Sequence, residues 1–252
     1  MTAGDREVAE AAVADPTVAD AAVVREAPSG RDRVGAVFFD LFGTLLPLGP
    51  LEGACDPLAP GRGAEVSARW RARQIEATWL RTIMDRWVDF DAITRDALAA
   101  TLDELHIRAD DAVVEDSAWA FSRLPAAPEA MQAVRELRDA GRIVGILTNA
   151  AQPTVDAVVA RLDVAFDHVL SVDVVRRFKP HPAVYDLALR STGLPPERIG
   201  FVTANGWDAA GAGAFGFRVA WLVTRTDPAA AIPSVGAPLP MRLTWSEVPA
   251  AF

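Results

Sequence analysis

The sequence predicts a doubly wound α/β fold, a parallel sheet with helices on both faces, into which a helical cap domain is inserted. Three observations predict it. Five short apolar runs alternate with stretches of helical spacing, the order that builds a parallel sheet covered on both sides. The runs are predominantly apolar or β-branched and show no regular alternation with polar residues, as strands buried on both faces require. Between the first run and the second, residues 48–123 contain no strand pattern.

Taken in order, residues 1–32 are rich in Ala, Val and acids and carry Pro16 and Pro28, which predicts a disordered or loosely helical tail. The strands follow at Val34–Phe39, Ile143–Leu147, His168–Ser171, Ile199–Val202 and Phe217–Val223. Pro128–Ala140, Thr154–Leu162 and Pro182–Ser191 have the helical period and fall between them. Inside residues 48–123, Ala64–Trp87 reads as one long helix and Ile93–Leu105 as another. The expected domains are therefore an α/β core from residues 33–47 and 124–252, and a helical cap from residues 48–123.

Composition narrows the function classes. At 51% hydrophobic residues, a chain of 252 residues can bury a sizeable core. A net charge of −9 argues against nucleic acid as a partner, so an anionic substrate would need positive charge gathered locally. No apolar run approaches the ~18 residues needed to cross a bilayer. The start of the chain lacks the basic-then-apolar order of a signal peptide, and Cys55 is the only cysteine. A cytoplasmic location is the expectation. There is one lysine, Lys179, among 25 basic residues, and one tyrosine, Tyr185. A chain that uses arginine almost everywhere has a reason for keeping a compact, tunable ammonium at one position. Tyr185 lies six residues on, within reach of the same network if Pro180–Ser191 is helical.

Ligands of open parallel sheets bind at the carboxyl ends of the strands. Polar residues collect there: Asp40 after the first run, Thr148 and Asn149 after the second, Thr203, Asn205 and Asp208 after the fourth, with Lys179 on the loop after the third. Phe38-Phe39-Asp40-Leu41-Phe42-Gly43-Thr44 places a carboxylate at the end of a buried strand, followed by a glycine turn and a hydroxyl. The Gly43 turn and Thr44 can aim donors at Asp40 and orient one oxygen for attack, although an aspartate in this setting can also serve as a helix cap. On the long cap helix, Arg69 and Arg73 share a face with Glu76, whereas Arg71 falls among Ile75, Thr78, Trp79 and Thr82. An arginine on that stripe, with no acid one turn away, needs an anion from elsewhere or must snorkel to solvent. Trp70, Trp79 and Trp87 are expected to pack the cap. His106, His168 and His181 are too scattered to suggest a metal site.

Asp-x-x-Gly-Thr after an apolar strand resembles the signature of the haloacid dehalogenase superfamily. Pro60-Gly61-Arg62-Gly63, Arg69-Trp70-Arg71, Thr78-Trp79-Leu80-Arg81, Leu147-Thr148-Asn149, Lys179-Pro180, Val184-Tyr185 and Thr203-Ala204-Asn205-Gly206-Trp207-Asp208 resemble its type II L-2-haloacid dehalogenases, from residue 34 to about residue 226. The resemblance implies that Asp40 displaces a leaving group from the α-carbon of a small 2-substituted carboxylate, with inversion and through an ester, to give a 2-hydroxy acid. It implies that Lys179 pairs with the nucleophile's site and Tyr185 supports it, and that Arg71, Asn149 and Trp207 cradle the leaving halide. It further implies that Asp208 prepares the hydrolytic water, that Asn205 organises the site, and that Thr148 and backbone N–H groups near Leu41 and Phe42 hold the substrate carboxylate. Phe90 and Thr203 are expected near the substrate as well. No cofactor and no metal are implied, and the oligomeric state stays open, with a homodimer as one option.

The superfamily's phosphatases carry acids where this chain has Phe42 and Thr203, so a Mg²⁺-dependent phosphatase is the weaker alternative. Relative to the dehalogenase pattern, Phe42 replaces Tyr, Ala72 replaces Gln, Thr148, Thr203 and Ala204 replace Ser, and Ala150 replaces Gly. These changes concern the substrate more than the displacement. Ring opening of an L-azetidine-2-carboxylate and a non-catalytic carboxylate-binding role complete the alternatives.

Overall fold

The structure is a computed structural model that describes residues 33–223 and 240–252. The expected tail, residues 1–32, lies outside the described residues. The chain runs β1 (Ala36–Phe39), α1 (Leu51–Cys55), α2 (Gly63–Ile83), α3 (Phe90–Glu104), α4 (Asp111–Ala118), α5 (Ala120–Arg123) and α6 (Pro128–Asp139). It continues with β2 (Ile143–Thr148), α7 (Gln152–Val159), β3 (His168–Ser171), α8 (Pro182–Thr192), β4 (Ile199–Thr203), α9 (Gly206–Phe215), β5 (Arg218–Leu222), β6 (Met241–Leu243) and α10 (Val248–Ala251).

The six strands form one sheet in the order β3-β2-β1-β4-β5-β6, and every pairing is parallel. β1 is central and completely buried, with Phe39 opposite Ile146 on one side and Val202 on the other. Its all-apolar sequence follows from covering on both faces. From β1 the chain adds β2 and β3 in one direction, then returns to add β4, β5 and β6 in the other. That reversal opens a crevice beyond the carboxyl ends of β1 and its neighbours, the preferred ligand position in such sheets. β2 ends on Thr148 and β4 on Thr203, so both residues stand at the strand ends that border this crevice. β6 is an addition to the five expected strands. Its three residues are too short to leave a pattern.

The insertion between β1 and β2 is helical, α1–α5. α2 stops at Ile83 and does not continue to Trp87. Asp85 takes a left-handed φ of 55°, and Arg86 N–H closes onto Arg81 O at 2.9 Å, a helix-ending geometry. α3 starts at Phe90, earlier than its apolar period suggests, because the Asp89 carboxylate caps Ala92 N–H at 2.7 Å. Trp70 is fully buried between the two helices and its indole N–H donates to Thr94 O at 2.8 Å. Arg69 and Arg73 both reach Glu104 on α3, not Glu76 on their own helix. The facing helix offers an acid that a single-helix projection does not see. Trp79 and Trp87 also depart from the expectation. Trp79 is 36% exposed and meets Trp207 edge-on at 5.9 Å, and Trp87 stacks on Phe178 at 4.7 Å. Both tryptophans join the insertion to the sheet domain.

Candidate active site

Asp40 is the first residue beyond β1 and its side chain is buried. The chain turns immediately afterwards. Gly43 holds φ 88°, a region that side chains resist, and its N–H binds Leu46 O at 2.8 Å. This turn carries Thr44 back beneath Asp40. The Thr44 hydroxyl accepts from Ala204 N–H at 3.0 Å, so its own hydrogen is left to donate to Asp40 Oδ2 at 2.9 Å. Asn205, at the start of α9, donates from Nδ2 to the same Oδ2 at 2.8 Å and to Phe42 O at 3.2 Å. One carboxylate oxygen is thus held by two donors, while Oδ1 accepts from Lys179 Nζ at 3.0 Å.

Lys179 is completely buried. Its ammonium bridges Asp40 Oδ1 and Asp208 Oδ2, the latter at 2.9 Å, and lies 4.8 Å from the Phe201 ring centroid. Burial alone would lower its pKa. The carboxylates of Asp208 and Asp40 outweigh that effect and hold the pKa above the ordinary lysine value. Asp208 is raised to about 6, chiefly by desolvation, against the opposing pull of Lys179. Tyr185, on α8, donates to Asp208 Oδ1 at 2.8 Å, and burial followed by the Asp208 charge pushes its phenol well above the usual range. The single lysine and the single tyrosine therefore flank the same aspartate.

Above these groups is a narrow cavity lined by Asp40, Phe42, Arg71, Ile75, Phe90, Thr148, Asn149 and Trp207. Arg71 enters from α2 of the insertion and lies 6.0 Å from the Phe121 ring centroid. Desolvation lowers its pKa to about 10 although Asp40 and Asp208 oppose the shift, so it remains a cation at neutral pH. Asn149 accepts Lys179 N–H on Oδ1 at 2.9 Å, and this contact turns Nδ2 the other way, where it is buried without a hydrogen-bond partner. An orphan donor is costly in a dry site, and it gives the cavity an affinity for an anion. Thr148 Oγ accepts Ala150 N–H at 3.1 Å and keeps its own hydrogen to give.

Not every residue expected at the substrate reaches it. Thr203 is fully buried and its hydroxyl accepts Asn205 N–H at 3.1 Å, which places it behind Asn205. Tyr185 lies behind Asp208 in the same way. The Leu41 side chain is wholly in the core, while its main chain, the part expected at the substrate, belongs to the turn after β1. The structure also adds residues that sequence reasoning missed. Ile75 forms a wall of the cavity. Gln74 is completely buried between Arg71 and Thr94, at 2.7 and 2.6 Å. A glutamine on a helix with charged neighbours gives no signal of burial; only the approach of α3 reveals it.

The cluster is arranged for nucleophilic substitution. It holds a carboxylate with one oxygen restrained, a buried cation joining it to a second carboxylate of raised pKa, and unpaired donors around a small cavity. Hydrogen-bond donors converge on Asp40 Oδ2, and Phe42 and Thr203 supply no carboxylate for a Mg²⁺ ion beside it.

Known proteins resemble this chain in sequence and in fold. The chain is 42% identical over 193 residues to an (S)-2-haloacid dehalogenase of Pseudomonas sp. (strain YL), covering 76% of this chain and 83% of that one. Its fold is similar to that of the L-2-haloacid dehalogenase from Xanthobacter autotrophicus, with a TM-score of 0.76, 35% identity, and coverage of 86% of this chain and 97% of the other. The structure of that dehalogenase with chloropropionic acid covalently bound superposes with a TM-score of 0.77, at 34% identity and the same coverage. Among the described residues, no helix is long and apolar enough to cross a membrane. The sequence model of the haloacid dehalogenase-like hydrolases matches residues 34–216, and the chain belongs to that family.

Proposed function

We propose that this hydrolase removes halide from the α-carbon of a small (S)-2-haloalkanoic acid and releases the 2-hydroxy acid of inverted configuration. The observation that carries the reading is the asymmetry of Asp40. Oδ2 is held by Thr44 and Asn205 and Oδ1 by Lys179 alone, and Asp40 borders a cavity also lined by Arg71 and by Asn149, whose amide Nδ2 is unpaired.

In the first step, Asp40 Oδ1 attacks the α-carbon in line. The Oδ1–carbon bond forms as the carbon–halogen bond breaks, and the halide departs with its electron pair toward Arg71, Asn149 Nδ2 and Trp207. Thr148 and the turn after β1 hold the substrate carboxylate. In the second step, water adds to the Asp40 carboxyl carbon. The charge that develops on Oδ2 is met by the Thr44 and Asn205 donors already in place, an oxyanion site made in advance. Asp208, deprotonated above its raised pKa of about 6, takes the proton from water. As the ester opens, Lys179 gives a proton to Oδ1, which leaves as the product's hydroxyl, Lys179 recovers one from Asp208 across 2.9 Å, and the water's second proton passes from Asp40 to solvent, which restores the carboxylate.

The cavity over Asp40 is narrow, closed in by the rings of Phe42, Phe90 and Trp207, which favours small acids. Ile75, Phe42 and Phe90 make its walls apolar. Under this reading residues 48–123 act as a cap that brings Arg71 over the nucleophile and keeps water from the displacement. The test is incubation with (S)-2-chloropropionate, with measurement of free chloride and the chirality of the lactate formed. Release of chloride with (R)-lactate, undiminished after exhaustive EDTA treatment, is expected. Retained configuration, or activity lost to chelator and restored by Mg²⁺, would reject the reading.

Arg71→Ala should lower kcat by roughly 10²–10³, the usual cost, about 2.7–4 kcal/mol, of removing a donor that acts on charge in the transition state. KM should change less. Arg62→Ala supplies the comparison, because Arg62 precedes the same helix and pairs only with exposed Glu65. Equal effects of the two substitutions would remove Arg71 from the leaving-group step.

A further inference from the structure

The hydrogen bonds behind Arg71 run in one direction. Arg71 is a donor only, so Gln74 must turn Oε1 toward it, and that bond is 2.7 Å. Gln74 Nε2 then needs an acceptor in a place where the residue is completely buried. Thr94 Oγ provides it at 2.6 Å, because the hydroxyl's single hydrogen is committed to Phe90 O at 2.7 Å. A flipped amide would set donor against donor at Arg71. Thr94 is itself anchored, since Trp70 donates to its carbonyl oxygen. Phe90, whose carbonyl ends the chain of bonds, is a wall of the cavity.

We propose that Gln74, oriented by Thr94, is a positioning residue for the displacement: it fixes the Arg71 guanidinium so that its remaining N–H groups face the departing halide. The inference rests on the proposed role of Arg71. Gln74 takes up one guanidinium N–H without neutralising the charge, and the arrangement is set before substrate arrives. A carboxylate at this position would hold Arg71 too, but it would cancel the charge that the leaving group needs.

The test is a mutant cycle in the intact protein, with (S)-2-chloropropionate and (S)-2-bromopropionate as substrates and circular dichroism to check folding. Gln74→Leu should lower kcat for the chloride roughly 10-fold or more, a typical effect of losing a partner that orients a functional group. KM should change little, and the bromide, a better leaving group, should be less affected. Thr94→Val should fall in the same direction and Thr94→Ser should recover. In the Arg71→Ala background, Gln74→Leu should cost nothing further, because its effect passes through Arg71. The same loss in both backgrounds would make Gln74 a packing residue and overturn the proposal while leaving the dehalogenase reading intact. If Gln74→Leu does not fold, Thr94→Val enters the same cycle with the same criterion. If the wild type releases no halide, the reading of the site fails separately, and bromide titration by calorimetry decides the positioning role. Affinity weakened by Gln74→Leu only where Arg71 is present supports that role, and unchanged affinity contradicts it.

Discussion

Asp40→Asn should reduce halide release by roughly 10⁴–10⁶-fold, the scale of losing a covalent nucleophile. The substitution is nearly isosteric, so the loss is chemical. An amide nitrogen is a poor nucleophile, and one end of the side chain becomes a donor. In the wild type, Oδ2 accepts from Thr44 and Asn205, and Oδ1 from Lys179. Whichever way the introduced amide turns, its NH₂ meets a donor. The variant should therefore bind substrate without opening it. Chloride release followed with substrate in excess and an unchanged far-ultraviolet circular dichroism spectrum check the prediction. A residual rate within about 100-fold of wild type would be too high for a missing nucleophile.

Lys179→Arg should lose most activity although the charge is kept. The ammonium is completely buried between Asp40 and Asp208 and close to Phe201, a space matched to a compact head. A guanidinium is planar and larger, and it does not give up a proton to the departing oxygen at neutral pH. Lys179→Met should be worse for stability, because removing one partner of a buried ion pair typically costs about 3–5 kcal/mol. Here it leaves two carboxylates facing each other. The two variants separate charge from proton transfer: arginine should fold with a much lower kcat, while methionine should show a lowered melting temperature as well. Near-normal turnover by the arginine variant would reduce Lys179 to a generic positive charge.

The legibility of these features follows from their physics. Strands buried on both faces are continuous apolar runs, so β1, β2 and β4 and the polar residues at their ends can be read directly, while β3 and β5 are partly exposed and keep only part of the pattern. Lys179 and Tyr185 stand out because the chain uses arginine and phenylalanine elsewhere, and the structure places both on Asp208. The face of α2 that carries Arg71 follows from helical period. Its partners do not. Glu104, which holds Arg69 and Arg73, and Thr94, which orients Gln74, belong to α3, and no pattern within α2 announces what packs against it. Likewise Thr203 stands at the right strand end, but its hydroxyl turns to Asn205 N–H. Sequence position gives the neighbourhood of a side chain, and only the competing hydrogen bonds decide its direction.

The central claim is a covalent ester on Asp40, and a single turnover in water enriched in oxygen-18 tests it most directly. Enzyme is held in excess over (S)-2-chloropropionate, and mass spectrometry reads both the lactate and the peptide containing Asp40. Attack of water on the Asp40 carboxyl carbon leaves the label in the aspartate and sends unlabelled Oδ1 into the product. The account predicts a heavier Asp40 peptide and unlabelled lactate. Lactate labelled in that first turnover, with the peptide unchanged, would mean that water attacks the substrate itself, and would contradict it.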